Sequence, residues 1–113
     1  MNDDELIHAA ARAVGIVKWR WLDGRFQKWG IADYARNLAG WEYWEPLLDD
    51  GAALRLAVTL KIQITIDSMY VFGSNDPAGD SGFCECLSGD AQTATRRAIV
   101  RAAAARTALT PNV

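Results

Sequence analysis

The sequence predicts an α+β fold, with three helices packed on a mixed or antiparallel sheet built from two hairpins and an extra strand. Three observations carry it. Between residues 44 and 66 the apolar period changes from helical spacing through Ala52, Ala53, Leu54, Leu56, Ala57, Val58 and Leu60 to strict alternation at Ile62, Ile64 and Ile66. Asp23-Gly24, the favoured two-residue hairpin turn, separates W-R-W-L from R-F-Q-K-W. Both ends of the chain are alanine-rich with helical spacing. At 113 residues, half of them hydrophobic, the chain suits one domain over 1–113 and is too short for two independent cores.

In order, Asp3, Asp4 and Glu5 complement the positive end of a helix over 3–14, its apolar residues Leu6, Ile7, Ala10, Ala11 and Val14 share a face, and Gly15 ends it. Val17, Trp19 and Trp21 alternate with Lys18 and Arg20 in the first hairpin, whose register puts Trp21 opposite Phe26. Trp29 falls on the Lys18 face and breaks the alternation, so the second strand is expected to be short. Residues 30–46 read as mostly loop, with a short helical turn over 32–38. A central helix is expected to start at Asp50, whose carboxylate would cap it. The second hairpin is expected to turn at Asp67-Ser68, pairing Ile66 with Met69 and Ile64 with Val71. Turn-forming residues fill 73–82, 83–87 reads as a further strand, and Ser88-Gly89-Asp90 precedes a last helix over 91–109 that Pro111 stops.

A formal charge of -2 and a pI of about 5.2 give no general attraction to nucleic acid or an anionic membrane. The distribution is uneven: Arg12, Lys18, Arg20, Arg25, Lys28 and Arg36 meet only Asp23 and Asp33, whereas Glu42, Glu45, Asp49 and Asp50 follow without a base. No apolar run approaches the roughly 20 residues of a membrane span, and the first residues are acidic where a signal peptide is basic. A cytoplasmic protein with reduced thiols at Cys84 and Cys86 is expected.

Catalytic and metal chemistry find little support. His8 is the only histidine and has no orienting partner in sequence. G-D-S-G at 79–82 matches a protease nucleophile segment by accident, since Phe83 stands where a further glycine is needed. Asp76 and Asp80 lack EF-hand spacing, and Cys84-x-Cys86 lacks a second ligand pair, so neither a metal nor another cofactor is expected.

Five tryptophans with Phe26, Tyr34 and Tyr43 crowd into 19–44, interleaved with cations. Such residues fill a small core, anchor a partner, or stack bases. Trp19 and Trp21 are read as core. Trp41, Tyr43, Trp44, Tyr70 and Phe72 are the candidate contacts for a protein partner. The alternative is a nucleic-acid-binding module using Lys18, Arg20, Arg25 and Lys28 with Arg96, Arg97 and Arg101, although the helix arginines spread around more than half its circumference and suit a solvated face with ion pairs better than a groove reader.

L-I-H-A-A-A-R-A-V-G at 6–15, W-E-P-L-L-D-D-G-A-A-L-R-L-A-V at 44–58 and T-R-R-A-I-V-R-A-A-A at 95–104 together resemble a family of small phage and prophage proteins, some described as NinX-like. The resemblance covers about a third of the chain and departs from the family's W-N-P-L-x-D-D-G at Glu45. Its matching residues are helix caps and helix cores, so it transfers no functional residue. It implies a setting inside a bacterial host and a non-enzymatic accessory role: binding a host protein or complex and blocking it, CRISPR and other defence complexes included. A homodimer through the same aromatic surface fits the same residues.

Overall fold

The computed structural model describes residues 2–33, 35–66, 70–74, 82–86 and 89–109, with the backbone alone at 31–33, 70, 72, 83, 86 and 107–109. The elements run α1 (Asp3–Val14), β1 (Trp19–Leu22), β2 (Arg25–Asp33), β3 (Leu38–Tyr43), α2 (Asp50–Leu60), β4 (Gln63–Ile66), β5 (Tyr70–Ser74), β6 (Gly82–Cys86) and α3 (Ala91–Leu109). This is the expected α+β class with antiparallel pairing, but its strands divide into two three-stranded sheets, β1-β2-β3 and β4-β5-β6.

Local chemistry sets most boundaries. Asn2 and Glu5 form a reciprocal capping box at the start of α1, with bonds of 2.8 and 3.2 Å, and Gly15 closes the helix at a φ of 90° that only glycine adopts without strain. Asp23 and Gly24 both take positive φ, as a type I′ turn requires, and Trp21 lies opposite Phe26 as expected. The cap of α2 is a correction: Asp49, not Asp50, accepts the Gly51 N–H at 3.0 Å. Asp50 sits in the first turn and takes an ion pair from Arg96 on α3 instead. In either position a carboxylate suits a helix start, so local sequence did not separate the two.

Residues 30–46 are not mostly loop. β2 continues to Asp33 and β3 returns from Leu38, pairing Trp29 with Trp41 and Gly30 with Gly40, with only a short turn at 35–37. The break in alternation at Trp29 misled because both faces of this strand carry aromatic residues. In the second sheet Ile66 pairs with Val71 and Ile64 with Gly73, two places from the expected register; a shift of two keeps every side chain on its face. Tyr34, the expected turn at 67–68 with Met69, the expected turn residues Asp76, Asp80 and Ser81, residues 87–88 and Pro111 lie outside the described residues.

The helices form the middle of the molecule. Leu6, Ile7, Ala10 and Ala11 of α1, Leu56 of α2 and Ile99, Val100 and Ala103 of α3 share one core with Phe26 and Trp44, which bring the first sheet against α1 and α2. Alanines at 94, 98, 102, 103 and 104 let α3 approach its neighbours closely. The second sheet packs on α3 through Val71 and Gly73; a Cβ at Gly73 would stand 2.8 Å from the Ala98 carbonyl oxygen. Among the described residues no helix is long and apolar enough to cross a membrane.

Candidate functional site

Residues paired across an antiparallel sheet share a face. The register of the first sheet therefore sorts its residues into two sets. Facing the helices are Trp19 with Lys28 and Glu42, then Trp21 with Phe26 and Trp44. The outer face carries Lys18 with Trp29 and Trp41, then Arg20 with Gln27 and Tyr43, then Leu22 with Arg25.

On that outer face each cation lies against a ring. Lys18 Nζ stands 4.2 Å from the Trp29 centroid, Arg20 Cζ 4.3 Å from that of Trp41, and Arg25 Cζ 3.5 Å from that of Tyr43. Trp29 and Trp41 meet edge to face at 5.4 Å. Such contacts hold long cationic side chains in place, each worth about 0.5–1 kcal/mol at an exposed site. The surface stays open: Trp29 is 43% and Tyr43 50% exposed. Arg20 and Trp41 are half-buried, and Gln27 is buried at 6%, its carbonyl taking the Arg20 Nε–H at 2.6 Å.

The expected contact residues separate. Trp41 and Tyr43 are on this face. Trp44 is not: at 8% exposure it packs on Phe26 in the core, one position out of phase with Tyr43, so it has no surface to offer. Tyr70 and Phe72 belong to β5 in the other sheet. Trp19 and Trp21 face inward and stack or abut on Phe26, yet each keeps more than a third of its surface exposed because they cover the rim of the core.

The expected nucleic-acid set also separates. Lys18, Arg20 and Arg25 share the outer face, but Lys28 is on the opposite one, 3.1 Å from Glu42. Arg96 bonds the Leu47 carbonyl, Asp50 and Thr93 and is buried to 13% exposure. Arg97 joins Asp3 at 2.8 Å, and Arg101 joins Glu85 at 2.7 Å. The Asp3 hydrogen bond holds the Arg97 guanidinium above its ordinary pKa. The expected ion pairs are present, and Arg97 and Arg101 stay over a third exposed, but the acids come from α1, α2 and β6, so the pairs clamp α3 to those elements.

Sequence reasoning passed over Trp29 and Gln27 as site residues. The signal for Trp29 was present, since its position on the Lys18 face placed it with the cations. Nothing in sequence marked Gln27. His8 lies 4.7 Å from the Trp19 ring, Cys84 is a free thiol, and among the described residues no group of three or more His, Cys, Asp or Glu could hold a metal. Comparison with protein-family models, with curated proteins and with solved structures returned no match.

Proposed function

We propose that this chain is a non-enzymatic binding protein that captures a protein partner on the outer face of β1–β2–β3. The observation that supports this reading is an open surface of exposed Trp29 and Tyr43 and half-buried Trp41 with Lys18, Arg20 and Arg25 stacked on it. Tryptophan, tyrosine and arginine are the residues that most often carry interface energy, and cations already ordered by rings lose less freedom on binding. A nucleic-acid track needs a run of available cations. Here Arg25 is neutralised by Glu45 at 2.6 Å, Lys28 by Glu42, and Arg96, Arg97 and Arg101 by acids inside the molecule. The resemblance to phage proteins adds a setting, in which the partner is a bacterial host protein and a defence complex such as a CRISPR effector is a natural candidate.

The test is capture from a nuclease-treated bacterial lysate. Partner recovery should survive the nuclease and fall at least about tenfold with Trp41→Ala or Tyr43→Ala, the scale of a hot-spot truncation, while Leu54→Ser on α2 leaves it unchanged. Recovery that vanishes with nuclease, or that ignores both aromatic variants, would refute the reading.

A further inference from the structure

Among the described residues, two cations on the outer face have no counter-ion. Lys18 and Arg20 make no ion pair with any described carboxylate, whereas Arg25 and Lys28 of the same sheet each have a glutamate. Both lie near one ring: the Trp41 centroid is 4.3 Å from Arg20 Cζ and 5.8 Å from Lys18 Nζ. Two like charges held beside one ring repel each other, and an anion arriving between them relieves that repulsion.

Arg20 is also fixed in orientation. Its Nε–H is spent on the buried Gln27 carbonyl, its Cζ lies over the Trp41 ring, and its two terminal amino groups bond no described residue. The end of a guanidinium fork matches a carboxylate by two parallel hydrogen bonds. Lys18 stands two residues earlier on the same face, so the two cations are spaced along the chain by about 7 Å, the repeat of an extended strand. An extended segment with acidic side chains at alternate positions has the same spacing.

We infer that Lys18, Arg20 and Trp41 form a carboxylate subsite for an acidic, extended segment of the partner, with glutamate or aspartate at alternate positions. The inference rests on the protein-binding reading and names what the partner presents. A phosphate chain shares the charge but not the fit, because the next cation along the face, Arg25, already carries Glu45 and stacks on Tyr43.

The experiment titrates the 15N-labelled protein with a capped peptide of alternating serine and glutamate, following the Arg20 Nε–H and tryptophan indole signals, beside an octathymidylate. The peptide should move the Arg20 and Trp41 signals at millimolar concentration. Arg20→Gln or Lys18→Gln should weaken it about tenfold, Arg20→Lys should weaken it less, and Lys28→Gln on the opposite face should change nothing. The backbone spectrum of each variant checks that it folds. No shift, or shifts indifferent to Lys18 and Arg20, would overturn the subsite; lysate capture that still depends on Trp41 and Tyr43 would then leave the sheet face as the partner surface. Tighter binding of the octathymidylate through the same residues would overturn both.

Discussion

At the scale of single residues, glycine and aspartate carry the sharpest expectations. Gly73 lies so close to α3 that any side chain must displace the Ala98 backbone, so Gly73→Ala should destabilise by about 1–3 kcal/mol in a denaturant melt, the usual cost of overpacking. A glycine in a turn-rich stretch gave no hint of this, because the contact is with a helix 25 residues away. Asp49→Ala should lower stability by about 0.5–2 kcal/mol through loss of the α2 cap. Asp90 holds its carboxyl below the ordinary value of 3.8, chiefly through the Thr93 hydroxyl and also through the Gln92 and Thr93 N–H groups and Arg96, with burial opposing. A folded-state pKa below the unfolded one stabilises above the unfolded value and is lost as pH falls through the folded one. The gap in stability between the parent chain and Asp90→Asn should therefore be full at neutral pH and shrink below about pH 3.8, measured by denaturation at several pH values.

At the scale of elements, α1, α2 and α3 were legible because each has local punctuation: a short polar residue before it, a glycine after α1, and the change to strict alternation after α2. The Asp23-Gly24 hairpin was legible for the same reason. β3 was not. L-A-G-W-E-Y has neither clean alternation nor flanking turn residues strong enough to mark it, and its position depends on Trp29 and Gly30 across the sheet. That the arginines of α3 form ion pairs was legible, but their partners, Asp3, Asp50 and Glu85, were not, because they come from three distant elements that local sequence cannot relate. Glu85 receives both Arg97 and Arg101, so Glu85→Gln should loosen β6 from α3. The expected sign is faster amide exchange in β6 with less change in β1–β3, and a stability loss of about 0.5–3 kcal/mol.

At the scale of the whole molecule, the sequence told which residues were aromatic and cationic but not which shared a surface. Adjacent Tyr43 and Trp44 part to opposite faces of one sheet, and seven cations proposed together scatter over both faces of that sheet and a helix. Register decides such matters, and register follows from the fold. The strand orders leave β1, β3, β4 and β6 as sheet edges, and of these β1 and β4 differ most in kind. β1 is guarded by Lys18 and Arg20, like charges that deter another chain from zipping onto it. β4 is short, but its side chains Gln63, Ile64, Thr65 and Ile66 hold no charge, and Ile66 is mostly exposed. Aggregation in concentrated stocks should therefore begin at β4. Thr65→Lys, a gatekeeper charge on that edge, should raise the concentration at which light scattering appears, whereas neutralising Arg20 should lower it by giving the molecule a second edge that accepts strands.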